Sequence, residues 1–80
     1  MYLPVINVVP RDNFELEITF QNGEKGMLDM KPYLEFGIFR RIKDDKAFQN
    51  VRVSFDTIEW EVGLDLDPDF VYQKCKKNPG

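Results

Sequence analysis

Phe14-Glu15-Leu16-Glu17-Ile18-Thr19-Phe20 alternates apolar and polar side chains without an error, and Gln21-Asn22-Gly23 separates it from a second run, 24–30, that ends in Leu28-Asp29-Met30. Strict alternation is the pattern of a strand with one face in a core and the other in water. Two hairpin registers fit this stretch. A two-residue Asn22-Gly23 turn would set Leu16 opposite Asp29 and Phe20 opposite Lys25, mixing core with solvent. A three-residue loop, 21–23, with Gly23 in the left-handed conformation of a bulge, sets Leu16 opposite Leu28 and Phe14 opposite Met30. The second register keeps like with like and is the one expected.

Upstream, residues 5–9 read as a first apolar strand ended by Pro10, with Arg11-Asp12-Asn13 as a turn cluster. This apolar start is too short to span a bilayer and lacks the basic beginning of a signal peptide, so a strand is the expected reading. Downstream, Pro32 suits the start of a short helix over 32–36 with Gly37 as its C-cap. Ile38, Phe39 and Ile42 continue as a helical turn with Arg40, Arg41 and Lys43 outward; Asp44-Asp45-Lys46 reads as a polar turn, and Phe48 as an anchor against the sheet. Val51, Val53 and Phe55 alternate with Arg52 and Ser54, and Asp56-Thr57 links them tightly to Ile58-Glu59-Trp60-Glu61-Val62, whose even positions are apolar. Gly63 ends that strand. Asp67-Pro68-Asp69 has the cap, first-turn proline and early acid of a helix start, and the helix is expected over 68–76 with lysines at its negative end.

The chain has 80 residues, with eleven basic and fourteen acidic side chains, one Cys and no His. That length allows one small domain, 1–80, with a thin core. One Ala against twelve Val and Ile residues and eleven aromatics favours strands over a helical bundle. The expected fold class is α+β: an antiparallel sheet of about five strands with short helices on one face and a C-terminal helix. Such a sheet has edges, and homodimerisation is one way to cover them. A single Cys excludes an intrachain disulfide and suits a reducing cytoplasm. Without His the chain lacks the commonest general base and transition-metal ligand, and no nucleophile–base set can be assembled. Enzymatic activity, cofactors and metals are therefore not expected.

The hairpin tip Phe20-x-Asn22-Gly23-Glu24 is followed by Leu28-Asp29-Met30, then Gly37, Phe39 and Phe48, Val51-x-Val53, and Ile58-Glu59-Trp60-x-x-Gly63-x-Asp65-Leu66-x-Pro68 with Tyr72. This pattern resembles the bacterial family named "domain of unknown function 2442" over nearly the whole chain, the Trp60 to Pro68 block being its most specific part. The resemblance implies a small prokaryotic protein, of a kind often encoded beside another short protein in gene pairs suggestive of toxin–antitoxin organisation. Some relatives carry a helix-turn-helix domain after this one, for which a chain ending at Gly80 is expected to leave no room. The resemblance supplies no catalytic residues.

Each residue cluster has an ordinary structural reading beside a functional one. Asp65-Leu66-Asp67-Pro68-Asp69 opens like a calcium loop, but Phe70 and Lys76 stand where an EF-hand needs Gly and Glu, and helix capping accounts for Asp67 and Asp69. Cys75 lies late in a helix with no activating His, and reads as a packing thiol. Trp60, mid-strand on the apolar face, reads as a core anchor. Arg40, Arg41, Lys43 and Lys46 form a basic cluster flanked by Phe39 and Phe48 and interrupted by Asp44 and Asp45. Residues 56–69 hold Asp56, Glu59, Glu61, Asp65, Asp67 and Asp69 and no base. Such an acidic segment is either a solvated face or a docking surface for a basic partner.

The expected function is a non-enzymatic protein–protein interaction module in the cytoplasm. Its partner is a small protein encoded nearby, held through Asp56, Glu59, Glu61 and Asp65 or an exposed sheet edge. If that partner is a toxin, the chain is the antitoxin-like member of the pair. The alternative is a nucleic-acid-binding accessory protein using Arg40, Arg41, Lys43 and Lys46. The net charge of −3 disfavours nucleic acid, and no segment suits a membrane.

Overall fold

The computed structural model describes residues 3–77. Strands β1 (Val5–Arg11), β2 (Glu15–Phe20) and β3 (Lys25–Asp29) form an antiparallel meander. Leu16 faces Leu28, and the Met30 N–H donates to the Phe14 carbonyl at 3.0 Å, so the three-residue-loop register holds. The Phe20 N–H donates to the Glu24 carbonyl at 2.8 Å, closing the loop, and Gly23 has φ +91°. Only a residue without Cβ takes that backbone at no cost. Leu16, Ile18, Phe20, Leu28 and Met30 are all buried.

The β1 strand runs through Pro10, where a stop was expected, to Arg11. It lies at the edge of its sheet, where a missing N–H leaves the ladder intact. An irregularity between Val5 and Asn7 turns Ile6 outward, to 55 % exposure.

The expected single sheet of about five strands is instead two sheets. The first has the order β1-β2-β3-β7, its last member a two-residue strand at Lys76–Lys77. The second has the order β4-β5-β6, from Val51–Ser54, Thr57–Trp60 and Leu64–Asp65. They touch where the Val5 N–H donates to the Asp56 carbonyl at 2.9 Å. Alternation tells which side of a strand is buried but not which strands are neighbours, and the two sheets satisfy it equally well. Both serve one core, in which Leu16, Ile18 and Leu28 join Ile58, Trp60 and Leu64.

Between β3 and β4 the chain is more irregular than expected. The helix expected over 32–36 is a 3-10 turn at Lys31–Tyr33, and a second 3-10 segment covers Gly37–Ile42. Gly37, at φ +52°, is not the C-cap expected of the first segment, which ends at Tyr33 with Leu34 as its cap, but the opening residue of the second. The expected polar turn at 44–46 begins helix α1 (Asp45–Gln49): the Asp44 carboxylate accepts from the Ala47 N–H at 3.1 Å, as an N-cap does. Phe48, as expected, is fully buried, edge-on to Phe14 at 5.2 Å between ring centres. Trp60 is equally buried, and its Nε1–H donates to the Phe48 carbonyl at 3.0 Å. It is the anchor its alternation promised.

The C-terminal helix α2 (Pro68–Lys74) starts where expected, with the Asp67 carboxylate accepting from the Asp69 N–H at 2.8 Å. It stops two residues before the expected Lys76, because the chain straightens at Cys75 and pairs with β3. A Cβ on Gly26 would lie 2.7 Å from both the Cys75 sulfur and the Lys76 carbonyl oxygen. Gly26 thus admits β7 to the sheet edge. Three expected inward residues point elsewhere: Ile38 is 45 %, Phe55 95 % and Val62 38 % exposed. No helix among the described residues is long and apolar enough to cross a membrane.

Candidate interaction surface

The small second sheet gathers most of the acidic candidates. Glu59 is the cross-strand neighbour of Arg52 on one side and of Asp65 on the other. The Arg52 guanidinium lies 3.6 Å from Glu59 and donates a hydrogen bond to Glu61. That bond, followed by the charges of Glu59 and Glu61, holds the arginine pKa above its ordinary value. Glu59 and Glu61 therefore share the Arg52 cation, and Asp65 extends the patch from the strand on the other side of Glu59. Asp56 sits apart, at the β4–β5 turn. A reading of residues 56–69 as base-free missed Arg52, which lies outside that segment in sequence and across the ladder in space. Cross-strand pairing of 51–54 with 57–60 was the signal that could have found it.

The basic candidates are exposed but differently engaged. The Arg40 Nε–H donates to the Glu35 carbonyl at 3.0 Å, and Lys43 pairs with the Glu35 carboxylate at 2.5 Å. The Lys43 hydrogen bond and charge draw the Glu35 pKa below its ordinary value. Arg41 and Lys46 make no ion pair among the described residues. The flanking rings are taken up by the fold, Phe48 in the core and Phe39 against Tyr33 at 6.1 Å. That leaves the nucleic-acid alternative with charge but without the two rings that would stack on bases.

The strongest functional signal was not read from the sequence. Ser54 pairs with Thr57, so the β4–β5 turn consists of Phe55 and Asp56, at φ +48° and +68°. Positive φ at both central positions is the requirement of a type I′ turn, which favours Asn-Gly and costs a bulky residue about 1 kcal/mol. Phe14 adopts a similar backbone, at φ +59°, but its half-buried ring packs on Phe48. Phe55 has the same strain and spends its ring on solvent. Beside it, through the Val5–Asp56 hydrogen bond, lies the start of β1 with exposed Ile6. Phe55 is thus a strained, exposed aromatic beside a carboxylate, and nothing in the fold uses its ring.

Most of the block from Trp60 to Pro68 serves the fold: Trp60 and Leu66 are buried, Gly63 turns the chain at φ +94°, and Pro68 opens α2, while Glu61 and Asp65 are exposed in the acidic patch. Tyr72 lies edge-on to Phe20 at 5.1 Å and donates to Glu24 at 3.3 Å, tying α2 to the first hairpin. No curated protein and no solved structure matches the chain. A family model does, over residues 5–77, and the chain belongs to that family, described as "Protein of unknown function (DUF2442)".

Proposed function

We propose that this chain is a non-enzymatic interaction module of the cytoplasm that holds a small, basic and partly apolar protein encoded beside it, with Phe55 as the anchor. If that partner is a toxin, the chain is its antitoxin-like companion. The observation that carries the reading is Phe55 itself, 95 % exposed on a backbone that disfavours it. Asp56 adjoins the anchor in the turn, exposed Ile6 follows the Val5 that bonds to Asp56, and the patch of Glu59, Glu61 and Asp65 on the same small sheet supplies long-range attraction for a basic surface.

Co-expression with the product of the adjacent gene, followed by size-exclusion chromatography, tests this. A stable complex at micromolar concentration is expected, and Phe55→Asn is expected to weaken it about 30-fold, as loss of an aromatic hot spot does. Asn accepts the left-handed backbone, so the variant removes the ring without harming the turn. No complex, or one indifferent to Phe55→Asn, would rule the reading out.

A further inference from the structure

The outward side of the first sheet is not flat. A groove of about 310 Å³ is lined there by Glu15, Met27 and Asp29 of β2 and β3, by Pro32 and Tyr33, and by Lys74 and Lys76. That volume is at the small end of ligand pockets, enough for one molecule the size of an amino acid. Tyr33 is held in place edge-on to Phe70 at 5.3 Å.

The charges in the groove are unequally engaged. Glu15 and Asp29 face each other across the strands, a like-charge pair that would repel if left alone. Lys31 resolves it: its ammonium lies 3.7 Å from Glu15 and 3.0 Å from Asp29, and its backbone N–H donates to Asp29 at 2.9 Å. Burial works against the Asp29 charge, yet these bonds, with the charges of Lys31 and Lys76, leave its pKa below the ordinary value. The acidic side is therefore closed. Lys74 and Lys76 form no ion pair among the described residues, and Lys76 stands directly across the ladder from Met27. An incoming cation would compete with Lys31 and meet two further ammonium groups. A neutral apolar molecule would leave both lysines unused.

We propose that this groove binds a carboxylate attached to an apolar or aromatic group, the carboxylate at Lys74 and Lys76 and the apolar part against Met27, Pro32 and Tyr33. A free small acid and the C-terminal end of a peptide share that chemistry. The site is separate from the Phe55 surface and does not depend on it.

NMR titration of the full chain tests the assignment with phenylacetate for the free acid, N-acetyl-phenylalanine for the chain end, and N-acetyl-phenylalanine amide as the uncharged control. Saturable shifts of the Met27 methyl and the Lys76 amide are expected with at least one acid. N-acetyl-phenylalanine, if it is the acid that binds, should do so more tightly than the amide, by about two- to fivefold, the effect of one exposed ionic contact. Whichever acid binds identifies the source. In the Lys74→Gln/Lys76→Gln variant the acids should fall to the level of the amide with the thermal midpoint preserved. Lack of saturation by both acids, equal binding of N-acetyl-phenylalanine and its amide, or an unchanged affinity in the double variant would overturn the proposal.

Discussion

Two of the hairpins of this protein, β2–β3 and β4–β5, solve the same problem with opposite residues. At the β2–β3 turn the backbone demands a left-handed residue and the chain supplies Gly23, while the Asn22 side chain accepts from the Glu24 N–H at 3.0 Å. At the β4–β5 turn the backbone makes the same demand twice, and the chain supplies Phe55 and Asp56. Where residue and geometry agree, the turn needs no explanation beyond folding. Where they disagree, and the offending ring faces water, the fold itself gives no reason for the residue, and that mismatch is what the proposed function draws on.

The comparison can be strained hardest through the buried sides of the strands. Trp60→Ala should cost about 3–5 kcal/mol, because it empties a fully buried site and leaves the Phe48 carbonyl without its donor. Val62→Ala, two residues on but past the end of β5 and partly exposed, should cost less than about 0.5 kcal/mol. Urea denaturation of both variants reads the contrast directly. Comparable losses would mean that the second sheet does not carry the core.

A finer test exchanges the logic of the turns. Gly23→Ala puts a Cβ on a backbone at φ +91° and should destabilise by about 1 kcal/mol. Phe55→Asn should act in the other direction, raising stability by about 0.5 kcal/mol, while costing the partner complex. Opposite signs in thermal denaturation are the signature of one turn optimised for folding and one held away from it. A destabilising Phe55→Asn would show that the ring supports the fold after all.

These contrasts also explain what could be read in advance. The register of the first hairpin was legible because period-2 alternation, the glycine position and the loop length all agreed on Leu16 opposite Leu28. The cap at Asp67, the burial of Phe48 and the anchoring role of Trp60 were legible for the same reason. The division into two sheets was not, since strand order depends on how four-residue strands pack over one core, and alternation is silent on that. α1 was hidden because Asp44-Asp45-Lys46 satisfies a turn and a helix start alike. Phe55 was hidden by its own strand: it continues the alternation of Val51 and Val53, and only the turn register shows that it lies past the last paired residue. Of the acidic candidates, Glu59, Glu61 and Asp65 come together as a patch, but Arg52 could be placed among them only from the ladder.

The smallest effect lies in the titration of the first sheet. On the first sheet, the Arg11 hydrogen bond and charge draw the Glu17 pKa below its ordinary 4.5, and the contacts from Lys31 leave Asp29 below its ordinary 3.8. A carboxyl group with a lowered folded-state pKa stabilises the protein above its unfolded value, and that contribution disappears as pH falls through the folded value. Acid titration followed by circular dichroism should therefore show stability eroding below about pH 4.5. Glu17→Gln and Lys31→Gln should each make that acid limb shallower, because each removes one source of the difference between folded and unfolded proton affinity. Arg52→Gln removes the cation that pairs with Glu59 and Glu61 on the second sheet, and its consequence should be read in the salt dependence of partner association. An acid limb unchanged by both Glu17→Gln and Lys31→Gln would show that the contacts of Arg11 and Lys31 on the first sheet do not serve the fold.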